Sequence, residues 1–169
     1  MRIVIQDASV LIDMADSNLL DAWFSLGFDL RTTSLIYHEV MRKNQKLKLQ
    51  RYLDNGQLLI EKATGEVIAE IAVFKTSLSS RLTIQDASAL YFATKIEGSI
   101  LLTSDRRLRE HAEAQGVETH GLLWVLDTLV ARGALLPGVA ADRLEALMER
   151  GTSRQPQHEC ELRIRRWRR

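Results

Sequence analysis

Four acids in this chain of 169 residues stand among apolar neighbours: Asp7 after Ile3-Val4-Ile5, Glu39 near Ile36 and Met41, Asp86 before Ala87, and Asp105 just beyond Leu101-Leu102. An ionised carboxylate beside a core is costly unless it is paired or binds a cation. Arg42 lies one turn from Glu39, and Arg106 and Arg107 adjoin Asp105, so those two acids have local pairing available. Nothing basic lies within one turn of Asp7 or Asp86. Brought together, such acids make an all-oxygen site suited to Mg²⁺ or Mn²⁺, with water completing an octahedron at about 2.0–2.2 Å. Taken singly, Asp86 and Asp105 read equally well as helix caps. The four histidines, His38, His111, His120 and His158, show no paired ligand spacing, which argues against zinc. Neither a GxGxxG nor a Walker loop is present, which argues against a nucleotide cofactor.

The elements needed to converge these acids follow from apolar periodicity. Arg2 to Gln6 reads as a buried strand that ends at Asp7. A helical stretch begins at Val10 and continues from Asn18 to Leu26. Phe28 to Thr33 is a second strand, after which Ser34 caps a helix carrying Glu39. Lys43 to Asp54 is a basic helix, Leu58 to Glu61 a weak strand, and residues 65 to 79 an amphipathic helix. Thr83, with Asp86 three residues on, marks the cap of a helix that Gly98 stops. Ser99 to Thr103 is apolar enough for an interior parallel strand, and it delivers Asp105 to the strand's carboxyl end, where open α/β sheets place their chemistry. A helix from Arg106 to Gln115, a strand at 117–119, a helix from Leu122 to Ala131 and an added helix from Ala140 to Glu149 complete the series. This alternation predicts a parallel α/β sheet, with residues 1–131 as core and 132–169 as a helical extension. Ile-Gln-Asp-Ala-Ser occurs at 5–9 and again at 84–88, but the similarity does not extend outward and marks no repeat.

Length and a 46% apolar content suit one domain with a sizeable core. The net charge of +1 nominates no partner, yet it is unevenly spread. Six arginines against two glutamates give residues 152–169 a charge of +4 and leave −3 for the remainder. Cys160 is the single cysteine, so no internal disulfide forms, which fits a reducing compartment. The opening residues lack the pattern of a signal peptide, and no apolar run approaches the roughly 20 residues of a membrane span. The expectation is a cytoplasmic protein with no membrane contact.

Asp7-Ala8-Ser9-Val10-Leu11-Ile12, Glu39 in its Ser34–Met41 context, Leu82 to Asp86, and Leu101-Leu102-Thr103-Ser104-Asp105 together resemble the PIN-domain nucleases over residues 2–130. The resemblance implies a three-layer fold with a twisted parallel sheet between helices. It also implies a metal-dependent phosphodiesterase acting on RNA or, less often, DNA. Asp7, Glu39, Asp86 and Asp105 then match the family's acidic quartet. Asp7, Asp86 and Asp105 become metal ligands and Glu39 a ligand or neighbour to them, while Ser9 and Ser104 match hydroxyl positions that support the acids. Many relatives are toxins of the VapC type held by a small antitoxin, so an antitoxin joins RNA as an expected partner, with a homodimer as a further possibility. The added helix and Arg-rich end depart from those compact toxins.

Two other readings compete. One is a PIN-like module that binds nucleic acid or protein without catalysis, which the presence of all four acids disfavours. The other is a phosphatase or receiver domain, which wants a second acid where Ser9 stands or an acid pair near the first strand. Lys43, Lys46, Lys48 and Arg51 form either a solvated helix face or, for Lys43 and Lys46 above all, phosphate contacts. In the tail, Cys160, Ile164 and Trp167 make an apolar stripe at helical spacing. Arg163, Arg165 and Arg166 on the other faces are candidates to catch an RNA backbone. Alternatively, an arginine of this region reaches the carboxylates and holds them inactive.

Overall fold

Val4 and Ile5 adjoin in sequence and face opposite ways, and that alternation divides the core in two. A computed structural model describes residues 2–39, 41–151 and 154–169. Strands β1 (Ile3–Gln6), β2 (Asp29–Thr33), β3 (Leu58–Glu61), β4 (Ile100–Leu102) and β5 (Glu118–His120) form one parallel sheet in the order β3-β2-β1-β4-β5. The order reverses between β1 and β4, where an open α/β sheet leaves a crevice beyond its strand ends. The strands that precede Asp7 and Asp105 are these two neighbours, with Gln6 in register with Leu102.

Helices cover both faces. Val4, Leu30, Leu58, Ile100 and Leu102 pack with α1 (Ala8–Asp16), α2 (Leu20–Phe24), α4 (Lys43–Asp54), α8 (Leu122–Ala131), α9 (Pro137–Glu149) and α10 (Gln157–Trp167). Ile5 and Leu101 pack with α5 (Gly65–Thr76), α6 (Ile84–Lys95) and α7 (Arg106–Ala114). The short α3 (Ser34–Glu39) sends Tyr37 to the first cluster and Ile36 to the second. The result is the parallel α/β sheet that the periodicity predicts, in the three layers that the resemblance implies. Residue 131 ends α8 but does not end the core. Ala140, Leu144, Leu147, Cys160 and Trp167 of the extension are buried in the same cluster as β1 and β4. Among the described residues, no helix is long and apolar enough to cross a membrane.

Several local expectations shift for identifiable reasons. Asn18 adopts a left-handed φ of 53°, which Asn tolerates, and it splits the long helix expected from Val10 to Leu26 into α1 and α2. Thr33 rather than Ser34 caps α3, because its hydroxyl accepts from Ile36 N at 3.2 Å while the Ser34 hydroxyl accepts from Ala63 N at 3.0 Å. Helix α5 stops at Thr76 instead of 79, where the hydroxyls of Thr76 and Ser77 bond back to the carbonyls of Val73 and Phe74. Helix α9 starts at Pro137, whose locked φ suits a first helical position, three residues before the expected Ala140.

Candidate active site

Asp7 leaves the end of β1 almost fully buried, at 2% exposure. Its Oδ2 accepts from the hydroxyls of Ser9 at 2.9 Å and Thr103 at 2.8 Å, while Oδ1 is buried with no hydrogen-bond partner among the described residues. Burial, and then the negative charge of Asp86, push its carboxyl up to about 6, against the pull of the two hydroxyl bonds and of the nearby Ala8 backbone N–H. The same hydroxyls fasten β1 to the residues after β4. Thr103 Oγ1 also accepts from Asp105 N at 3.0 Å, and Ser9 Oγ accepts from Ser104 N at 3.0 Å.

Asp86 sits in the first turn of α6 in a capping box with Thr83. Its Oδ2 accepts from Thr83 N at 2.7 Å, and Thr83 Oγ1 accepts from Asp86 N at 3.2 Å. Asp105 caps α7 through Oδ1, which accepts from Arg107 N at 2.8 Å and Leu108 N at 3.2 Å. Both acids are therefore caps, and both also line a cleft with Asp7. That cleft, of about 340 Å³, is bounded by Ser9, Ile12, Asp13 and Asp16 of α1 and by Ser104. Arg42 and the extension's Leu147, Arg150 and Arg154 close it.

The remaining expected residues are distributed differently. Glu39 is exposed at the end of α3, does not line the cleft, and accepts from the Gln85 side chain, one residue before Asp86. Neither local ion pair forms. Arg42 turns to the cleft rather than to Glu39, Arg106 bonds Glu110 at 2.8 Å, and Asp105 meets Arg154 Nη1 at 3.4 Å instead. The Ser104 hydroxyl accepts from Gln155 Nε2 at 2.9 Å, so the hydroxyl beside it, on Thr103, is the one that reaches Asp7. Thr103 can do so because it is fully buried at the strand end while Ser104 faces the extension. Lys46 donates to His38 O at 2.9 Å and lies over the Tyr37 ring, and Lys43 is exposed on α4. Arg163 and Arg166 both bind Asp127 of α8, and Arg165 is exposed; none of the three lines the cleft.

Asp13, Asp16, Arg42, Arg150 and Arg154 are cleft residues that sequence reasoning passed over. Asp13 and Asp16 had a signal, since they follow Ser9 by four and seven positions on one helix face. Gln45 Nε2, at 3.3 Å from each Asp16 oxygen, ties that acid to α4. The arginines had none, because they reach the cleft through the packing of distant segments.

As the side chains stand, no three Asp, Glu, His or Cys side chains among the described residues converge closely enough to hold an ion. The chemistry of the donors nonetheless fits a hard divalent cation. Five aspartates, Asp7, Asp13, Asp16, Asp86 and Asp105, line one cleft, and the most buried of the expected ligands, Asp7, keeps an oxygen unpartnered.

A family model described as PIN domain matches residues 3–169. No curated protein matches the chain. A PilT N-terminus domain protein from the archaeon Sulfolobus solfataricus is 15% identical, with 76% of this chain and 93% of that one covered and a TM-score of 0.49. A Pyrobaculum aerophilum protein is 22% identical, with 77% of this chain and 98% of the other covered and a TM-score of 0.52. The likeness to the Pyrobaculum protein extends to the fold alone. The family match runs through the sheet, the cleft and both helices of the extension, and the chain belongs to the PIN-domain family.

Proposed function

We propose that this member of a family made up in general of nucleases is a metal-dependent endoribonuclease. Asp7, Asp86 and Asp105 would hold Mg²⁺ or Mn²⁺, and the substrate would be single-stranded or structured RNA. The observation that carries the reading is the Asp7 carboxylate. It is buried beside another acid, with one oxygen held by two hydroxyls and the other given no partner. A structural acid would be paired with a base, whereas this one is left to a ligand. When bound, the ion lowers the pKa of a water and offsets charge on the attacked phosphate. Ser9 and Thr103 orient Asp7, and the capping bonds of Asp86 and Asp105 hold those carboxylates at the cleft wall. No side chain is needed as nucleophile, and Ser9 is already committed to Asp7 and Ser104.

RNA cleavage measured with Mg²⁺, with Mn²⁺ and in EDTA tests the proposal. Asp7→Asn and Asp86→Asn should each abolish cleavage while the folded state persists by thermal melt. Full activity in EDTA, or in either variant, would overturn it. Binding of RNA without cleavage in any metal would favour the non-catalytic module.

A further inference from the structure

The acidic cleft is the middle of a longer groove. On one side it shares Asp16 and Arg150 with a depression of about 470 Å³ that adds Ser17, Arg143, Ala146 and Glu149. On the other it shares Ser104, Asp105 and Arg154 with a depression of about 490 Å³ that adds Arg106, Arg107 and Glu110. The central cleft holds five aspartates beside Arg42, Arg150 and Arg154, and the flanking depressions add Arg143 on one side and Arg106 and Arg107 on the other.

The state of most of those arginines separates them from the basic tail; the exceptions are Arg154, which pairs with Asp105 at 3.4 Å, and Arg106, which pairs with Glu110. Arg42, Arg107 and Arg143 have no ion-pair partner among the described residues. Arg150 donates to Asp16 O and Ser17 Oγ at 2.9 Å, so its charge is held by neutral acceptors and not cancelled. In α10, by contrast, Arg163 and Arg166 are paired with Asp127, Arg163 also with Glu159, and Arg168 with Asp142 and Glu145. Glu110 and Glu149 are the groove's outer acids. Glu110 is bonded to Arg106, while Glu149 has no ion-pair partner among the described residues.

We propose that a single-stranded polynucleotide lies along this groove, with Arg143 and Arg150 holding phosphates on one side of the carboxylates and Arg107 and Arg154 on the other. The inference rests on the nuclease reading for its substrate class and goes beyond it in assigning the path. The extension is then part of the substrate site, through α9 and the residues before α10, and the arginines of α10 serve packing. A body with acids at its centre repels a polyanion, so the strand is held by cations that flank the acids rather than overlie them.

Arg107 and Arg143 make no side-chain hydrogen bonds among the described residues; Arg107 is exposed, and because Arg143 is half-buried its Lys variant, which keeps most of the stem, controls for packing. In an Asp7→Asn background, binding of a labelled oligouridylate of roughly 12 nucleotides is followed against salt, with oligothymidylate as a parallel arm. Arg107→Ala and Arg143→Ala should each weaken binding and flatten the log–log salt slope by about 0.7, the loss of one single-strand phosphate contact. Arg107→Lys and Arg143→Lys should restore the slope, and Arg165→Ala on α10 should leave it unchanged. A wild-type slope in either Ala variant overturns the two-sided path, as does failure of the parent to bind either oligomer, or loss in Arg165→Ala alone. Preference for oligouridylate assigns the strand as RNA, and equal binding assigns the shared phosphodiester backbone. Metal-dependent cleavage with unchanged slopes would defeat the groove and spare the ribonuclease. Flattened slopes without cleavage in any metal would do the reverse.

Discussion

Asp7 is a carboxyl buried at the end of β1 beside another acid, with one oxygen bonded by two hydroxyls and the other without a hydrogen-bond partner among the described residues. Its carboxyl is raised from 3.8 to about 6, by burial first and the charge of Asp86 second. At Asp7 the folded chain therefore binds more protons than the unfolded chain between those two values. The contribution of this group to the stability of the metal-free protein falls as pH rises through that window and levels off above it, opposite in sign to the contributions of Asp21, Asp29 and Glu118, whose carboxyls are held low by their partners. A shift of this size corresponds to at most about 3 kcal/mol. Thermal melts in EDTA from pH 4 to 7 should show the stability of the parent falling relative to that of Asp7→Asn as pH rises. Parallel profiles for the two proteins over that range would show that Asp7 is not held in the protonated direction. Asp7 was legible as a candidate because an acid two residues after Ile3-Val4-Ile5 has little local reason to exist, and the structure places it in the cleft. Its hydroxyl partner Thr103 was not legible, because Thr103 and Ser104 are chemically alike and only the strand's direction decides which one faces inward.

Among the elements, α6 and α7 give their acids two roles. Asp86 and Asp105 cap these helices with one oxygen each and present the rest of the carboxylate to the cleft. Capping a helix and lining the cleft are therefore compatible in one residue, so the caps do not argue against the proposed ligation. Asp105→Asn should keep a cap oxygen and hold most of the stability while losing cleavage. Asp105→Ala should lose both, at a cost of about 1–2 kcal/mol in folding. Urea melts of the two variants beside an RNA cleavage assay separate the roles. Equal stability losses in the two would mean that the carboxylate charge, and not the cap, holds α7. Such caps were readable from sequence because they join residues two or three apart. The cap of α3 was misplaced by one residue because Ser34 is drawn off by Ala63, a partner beyond the reach of local pattern.

At the scale of the whole molecule, the extension is a structural part of the core. Trp167 and Cys160 of α10 are buried in the cluster that contains Val4 and Ile100 of the sheet, with Ile164 packed against it. Trp167→Ala should cost roughly 3 kcal/mol, in the lower range for emptying a large buried ring. It should leave the salt slope of RNA binding intact if the groove carries the strand. Denaturant melts and binding isotherms on the same variant measure both. A loss below about 0.5 kcal/mol, the level of an ordinary surface change, would show that α10 is not part of the core.

The sequence by itself determined the alternating elements, the parallel sheet and the order in which three acids arrive at strand ends and helix starts. Those features depend on periods of two and 3.6 residues and on contacts within one turn. Tertiary structure alone decided which charges meet. It left Glu39 outside the cleft with Gln85, brought Asp13, Asp16 and Arg42 in, and delivered Arg154 to Asp105 from 49 positions away. It also bound the tail's Arg163 and Arg166 to Asp127 of α8, which their apolar stripe alone did not foretell. The physical reason is one of reach. A stripe specifies that a helix docks, but the order of strands and the stacking of helices decide what its polar faces find there.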